Sequence, residues 1–249
     1  SVNGERLLSR INELGKIGKD AEGRRTRLAA SDADKQGRDL VSEWMKEAGL
    51  EVVTDRIGNI FGIWETPENK DQAPLMIGSH IDTVINAGQF DGCLGVISSI
   101  EVIKTLKDNG MVSARPVVAA AFTNEEGVRY SPDMMGSLVY AGGMEVEEAL
   151  DTVGTDGTIL RDELKRIGYE GTVEPGFIKP YAFVELHIEQ GPVLEQNQKD
   201  IGIVDAIVSL ECYDVLVRGR ADHAGTTPID MRADGLLAAA KAIAAATGR

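Results

Sequence analysis

The feature that most constrains this chain is an alternation of short apolar runs with helical patterns, in which the runs end in histidine or acid. PLMIGSHID, from Pro74 to Asp82, and PVVAAAFTNEE, from Pro116 to Glu126, each read as a buried strand. Helix-period segments follow them, one from Cys93 to Lys107 and one from Met134 to Ala141. This βαβα order implies an α/β fold: a largely parallel, mixed sheet flanked by helices. Folds of this kind bind ligands outside the carboxyl ends of their strands. A later run, AFVELHIEQG, reads as a further buried strand and places another histidine on it.

The flanking segments extend this frame. Leu7, Leu8, Ile11, Leu14 and Ile17 share one helical face, and Leu40, Val41, Trp44, Met45 and Ala48 share another before Gly49 stops the pattern. LEVVTDR and NIFGIWE alternate on either side of an Ile57-Gly58 corner, which predicts an antiparallel hairpin at one sheet edge. Glu145 to Lys179 is polar and helical in pattern, broken by Gly and Pro. Beyond it, IGIVDAIV reads as a strand, ECYDVLVRGR alternates in the antiparallel style, and MRADGLLAAAKAIAAATG reads as an alanine-rich helix. The change of style predicts one domain over 1–208 and a second starting at Ser209.

With 43% hydrophobic residues in 249, the chain has the material for a substantial core. Forty acidic side chains against 26 basic ones give a net charge of -14, which repels phosphate backbones and anionic lipid headgroups and argues against nucleic acid or membrane partners. SVNGERLLSRINELGKIGKD lacks an apolar signal core, and no run has the length of a membrane span, so a cytoplasmic protein is expected. Cys93 and Cys212 form no C-x-x-C pair. A metal here would therefore be held by histidine and carboxylate, and the chain has only three histidines.

Five places supply such groups. In SHID, His80 and Asp82 stand two apart at a strand end, where a carboxylate can take the second ring N–H of a metal-bound imidazole and fix its tautomer. The same pair also reads as a strand-end histidine beside a turn aspartate. Asp91, in FDGCLGV, precedes a helix and is either a plain N-cap or a ligand between two cations, with Gly92 and Gly95 permitting close approach. Glu125 and Glu126 are delivered together to a strand end. One is suited to coordinate and the other to act as general base, unless both belong to a solvated acidic loop. His187 is a ligand or a satisfied core histidine. His223, in ADHAGTTPID, stands before Thr227 and Pro228, which resemble an N-cap and first helical residue, and by itself reads as a loop histidine. Taken jointly, the order H-x-D, D-G, E-E, H favours a binuclear metal site.

These words resemble the M20 metallopeptidase superfamily, and more narrowly its hydantoinase/carbamoylase branch of N-carbamoyl-L-amino acid hydrolases, β-ureidopropionases and allantoate amidohydrolases. The resemblance runs through SHIDTVINAGQFDGCLGV, FTNEEGVRYSPDMMGS, FVELHIEQGPVLE and DHAGTTPIDMRAD. It implies a zinc-exopeptidase-like catalytic domain in which His80 and His187 bind one metal, Glu126 helps bind the second and Asp91 bridges them. It further implies Glu125 as general base and Asp82 as the orienting partner of His80. Two divalent ions are implied, zinc first, with manganese, cobalt or nickel as alternatives. Histidine rather than acid at position 187 favours the carbamoylase side over aminoacylases and dipeptidases. His223 is implied to stabilise the oxyanion in a partner subunit's site, and Gln190 to lie near the substrate.

By the same resemblance, 209–249 is expected to be the start of an α+β lid and dimerisation domain, cut short, with an asparagine, an arginine and a final histidine ligand due beyond Arg249. The implied reaction is hydrolysis of the carbamoyl C–N bond of N-carbamoyl-L-amino acids to amino acid, carbon dioxide and ammonia, in a homodimer. An allantoate-type or β-ureidopropionase-type specificity is the rival within the class. A silent metal-binding or dimerisation fragment is the rival outside it.

Overall fold

The computed structural model describes residues 1–207 and 213–247. The chain forms two compact units, Ser1–Pro192 and Val193–Arg249. The division falls ahead of Ser209, the expected start of a second domain, and Ser209 itself lies outside the described residues.

The first unit opens with α1 (Gly4–Leu14) and α2 (Asp32–Glu47), each started by a side chain that satisfies a free amide of the first turn. Asn3 accepts from the Arg6 amide and Ser31 from the Asp34 amide. A hairpin follows, β1 (Glu51–Thr54) against β2 (Ile60–Trp64), antiparallel with Glu51 opposite Ile63. Gly58, at φ +85°, sits in its corner, as the Ile57-Gly58 break predicts. Then β3 (Leu75–His80), α3 (Cys93–Asp108) and β4 (Val117–Phe122) form the strand–helix–strand unit. Three short helices come next, α4 (Met135–Tyr140), α5 (Val146–Leu150) and α6 (Leu160–Ile167), and β5 (Ala182–Val184) closes the sheet.

The strand order is β1-β2-β4-β3-β5. β3 runs parallel to both β4 and β5, whereas β2 is antiparallel to β4. The mixed sheet expected from the alternation is present, with its parallel part on the side that carries His80. Because the chain leaves β3 for β4 on one side and later returns to β5 on the other, the carboxyl end of β3 lies at the point where the winding reverses. That is where open α/β sheets form their crevice.

Side chains alternate across β4. Ala119 and Ala121 join Ile11, Leu14, Trp44, Met45, Val96, Ile97 and Ile100 in a core under α1, α2 and α3. Val118, Ala120 and Phe122 pack on the other face with Phe61, Met76, Tyr140 and Ile178. The alanines of β4 let α3 approach closely, and burial of this kind contributes roughly 25 cal/mol per Å² of apolar surface.

The expected buried strand AFVELHIEQG is shorter and wetter than its sequence suggests. Only Ala182–Val184 pair, against Leu75–Ile77, and Phe183 and Val184 are exposed. An edge strand has one ladder instead of two, so the pairing ends before His187. The 145–179 stretch is two short helices separated by turns, not a long one.

In the second unit, α7 (Val193–Gln196), a 3-10 turn (Ile229–Met231) and α8 (Gly235–Thr247) are the regular elements among the described residues. Residues 201–207 and 213–220 are not strands, and Ile203, Ile207, Val215 and Leu216 are exposed. Alternating sequence needs a paired neighbour to become a strand, and none is found among the described residues. The end of IGIVDAIV and the start of ECYDVLVRGR, including Cys212, lie outside the described residues. Pro228 precedes the 3-10 turn instead of opening an α-helix. α8 begins three residues after Arg232, where the Asp234 carboxylate accepts from the Leu237 amide at 2.9 Å.

Candidate metal centre

The three parallel strand ends and the start of α3 converge on a cavity of about 260 Å³ lined by His80, Asp91, Glu125, Glu126, Asp133, Met134, His187 and Gln190. His80 is the last residue of β3 and is only 2% exposed. Its Nδ1 lies 2.9 Å from the Asp82 backbone carbonyl, an interaction that leaves Nε2 facing the cavity. The Asp82 carboxylate, expected to orient this ring, is 3.8 Å from Nδ1. It accepts instead from the backbone amides of Glu125, at 3.1 Å, and Glu126, at 3.2 Å. One buried aspartate thus ties the β3 end to the β4 end, fixing the ring through its carbonyl and the glutamate pair through its carboxylate. The chain turn after β3 brings the carbonyl nearer, which an H-x-D spacing does not reveal.

Asp91 does not cap the helix that follows it, which was the plainer of its two readings. α3 has no side-chain cap. The Asp91 carboxylate points across the cavity, with Oδ1 3.1 Å from His187 Nε2 and 3.9 Å from His80 Nε2, and Oδ2 accepting from Gln190 Nε2 at 2.8 Å. Gly92 and Gly95 make this possible. At φ +61°, a Cβ on Gly92 would lie 2.4 Å from His80 Nε2, and one on Gly95 would lie 2.7 Å from the Leu186 carbonyl and the Ser79 Cβ.

Glu125 Oε2 is 3.5 Å from His80 Nε2. Glu126 carries the observation that speaks most directly to a missing partner: its Oε1 is buried with no hydrogen-bond partner among the described residues. A buried carboxylate oxygen without a donor is costly, and a cation is the partner that would remove the cost. Two groups, His80–Asp91–His187 and His80–Glu125–Glu126, bring their ligand atoms within 4.8 Å of one another and share His80. Imidazole and carboxylate are the donor set of zinc and its first-row neighbours. The residues therefore fit divalent metal.

The electrostatics agree. Burial lowers the His80 pKa, but the Asp82 and Glu125 carboxylates outweigh it and leave the ring above its ordinary value. Burial raises Asp82 and Glu125, and it pushes Glu126 up to about 7, tempered by His80 and reinforced by Asp91, Asp82 and Glu125. The shared cause is desolvation of acids brought together out of water, and crowded acids of raised proton affinity are a common feature of functional sites.

His187 has 31% of its side chain exposed, lies past the end of β5 and is not a core histidine. Its Nδ1 is 2.8 Å from the Ile188 carbonyl, and its ring stacks toward that of His80 with centroids 6.2 Å apart. His223 belongs to the second unit. Its Nδ1 accepts from the Gly225 and Thr226 amides at 3.0 and 3.2 Å, so the neutral ring carries its proton on Nε2. Asp133 and Met134 also line the cavity and were not singled out by sequence reasoning. Their position three and four residues beyond Tyr130, ahead of a helical pattern, did not mark them as part of the site.

The sequence profile of Peptidase family M20/M25/M40 matches residues 76–249. The chain belongs to this family. It is similar to the N-carbamoyl-L-amino-acid amidohydrolase of Rhizobium meliloti, 41% identical over 96% of this chain and 58% of that protein. It is equally similar, at 41%, to a probable allantoate deiminase of Oryza sativa subsp. japonica, with 94% of this chain and 49% of that protein covered. Among solved structures, a hydantoinase/carbamoylase family amidase from Burkholderia multivorans superposes with a TM-score of 0.84 at 40% identity, covering 96% of this chain and 58% of that one. The chain thus spans between about half and three-fifths of the length of these relatives.

Proposed function

We propose that the protein is a binuclear metal-dependent amidohydrolase that cleaves the carbamoyl C–N bond of N-carbamoyl-L-amino acids, releasing amino acid, carbon dioxide and ammonia. The observation that carries this reading is the convergence of two histidine–carboxylate ligand groups on one cavity, one of which contains the partnerless Glu126 oxygen. In it, His80 and His187 would hold one ion with help from Asp91, and Glu126, also with Asp91, would contribute to the second. The names of the relatives support a ureido substrate.

Divalent ions bound at these residues would polarise the ureido oxygen and lower the pKa of the attacking water toward neutrality. Glu125 is the general base: it reaches into the cavity with Oε2 3.5 Å from His80 Nε2, and burial raises its proton affinity. It accepts the water proton and returns it to the leaving nitrogen. Asp82 positions both ends of this machinery, holding the His80 ring and the Glu125 and Glu126 backbone. Gln190, bonded to Asp91, stands where a substrate polar group would enter. His223, with its proton on Nε2, is the donor assigned to the negative charge that develops on the ureido oxygen in a partner subunit's site. Loss of such a donor typically costs about 10²–10³ in rate.

Residues 209–249 are assigned to the beginning of a lid domain through which the protein forms a homodimer, and the location is assigned to the cytoplasm. No helix among the described residues is long and apolar enough to cross a membrane. Metal analysis with an ammonia-release assay tests the reading. Two equivalents of zinc, manganese or cobalt and ammonia from N-carbamoyl-L-amino acids are expected. Fewer than two equivalents and no ammonia would reject it. Allantoate is the second candidate substrate, favoured by the equal identity to an allantoate deiminase, and ammonia release from allantoate in preference to N-carbamoyl amino acids would select it.

A further inference from the structure

Of the side chains that line the cavity, seven are histidine, carboxylic acid or amide, and the eighth is Met134. It stands out in two further ways. It is 53% exposed, and its backbone is left-handed at φ 51° and ψ 22°, a conformation that costs an L-residue about 1 kcal/mol or more.

Several contacts hold Met134 there. Its amide donates to the Glu125 carbonyl at 2.6 Å, and its own carbonyl accepts from the Leu138 amide at 2.8 Å and the Ser137 hydroxyl at 3.0 Å. Gly127, at φ +64°, packs so closely that a Cβ would fall 2.7 Å from the Asp133 N and Cα. The segment carrying the two glutamates and the segment carrying Met134 are therefore braced against each other. An apolar side chain is presented to a polar cavity from a backbone fixed by the proposed general base's own carbonyl.

We infer that Met134 is a specificity-determining residue that contacts the amino-acid side chain of the substrate and selects apolar side chains over polar ones. The inference rests on the proposed hydrolysis of N-carbamoyl amino acids and deepens it. Among the residues lining the cavity Met134 alone offers neither charge nor a polar side-chain group, and its unbranched, polarizable thioether suits aliphatic and aromatic groups of varied shape. Allantoate, whose second arm is another ureido group, would gain nothing from it.

The test uses the metal-loaded protein and two substitutions, Met134→Ala and Met134→Gln, assayed with N-carbamoyl-L-methionine, N-carbamoyl-L-phenylalanine, N-carbamoylglycine and allantoate. Met134→Ala is expected to lower kcat/KM for the methionine and phenylalanine derivatives by about tenfold and to leave N-carbamoylglycine within about twofold, since apolar pocket contacts discriminate by such factors. Met134→Gln, close in length but polar, is expected to lose the same preference and to narrow the gap to allantoate. Calorimetric binding of N-carbamoyl-L-methionine and N-carbamoylglycine in a Glu125→Gln background reads the same difference without turnover. Equal losses on all four substrates, or no loss on any, in a folded variant would overturn the inference. Failure of the wild-type protein to hydrolyse any ureido substrate would instead overturn the function on which it rests.

Discussion

At the scale of single residues, the two adjacent glutamates are chemically identical in sequence and distinct in place. Glu126 has a buried, partnerless oxygen and Glu125 reaches the cavity beside His80. Glu125→Gln is therefore expected to keep its metal, measured by elemental analysis after gel filtration, and to lose roughly 10²–10⁴ in kcat, the range of general-base contributions. Glu126→Gln is expected to lose metal. The opposite pattern would exchange the two assignments. Gly92→Ala is the sharper structural test, because a methyl group 2.4 Å from His80 Nε2 must displace the ring. A fall of about tenfold or more in cation affinity by calorimetry is expected, as for other disturbances of ligand orientation. The residue types of this centre were legible in the sequence because metal chemistry restricts them to histidine and acid. What the sequence did not reveal was which atom of Asp82 meets His80, since a two-residue spacing fixes neighbours but not the turn of the chain between them.

At the scale of elements, β1, β2, β3, α3 and β4 were readable because their apolar periods match their burial, and the β1–β2 corner was readable from its glycine. β5 was not, because a run that is apolar throughout reads as buried whether or not a second ladder exists to bury it. The β1–β2 corner also holds a feature that only the structure exposes. Asp55 is fully buried there, its carboxylate accepting from the Asn59 amide and side-chain nitrogen, both at 2.9 Å, while Asn59 passes the connection to the Thr123 amide at 2.8 Å. Burial pushes its pKa from 3.8 up to about 7. Below about pH 4 the group is protonated folded or unfolded. Between that point and about 7 the folded chain keeps a proton that the unfolded chain releases, so this contribution to stability is lost as pH rises, and it is constant above 7. Urea midpoints are thus expected to fall between pH 5 and 7.5 more steeply in the wild type than in Asp55→Asn. Parallel pH dependence in the two proteins would show that Asp55 does not titrate in this range.

At the scale of the whole molecule, the apolar alternation of 201–207 and 213–220 predicted strands, yet these segments are not strands and Ile203, Ile207, Val215 and Leu216 are exposed, because strand formation depends on a neighbour that no local pattern supplies. The candidate metal centre has the opposite character: its parts come from β3, the start of α3, the end of β4 and the chain after β5, so whatever binds there joins all of them and is linked to global stability. The sign of that linkage depends on pH. In the metal-free protein Glu126 has a pKa of about 7 against an ordinary 4.5, so its contribution to stability is present below 4.5 and is lost as pH rises through 7. A bound cation replaces that proton, and below pH 7 it must first displace it, so cation affinity weakens as pH falls and levels off above 7. His80, also raised above its ordinary value, adds to the same trend. Excess zinc is therefore expected to raise the melting temperature only slightly at pH 5.5, more at pH 7 and most at pH 8, with EDTA reversing each increment. An increment independent of pH would mean that the cation binds away from Glu126 and His80, and an increment that shrinks as pH rises would mean that the carboxylates here are not its ligands.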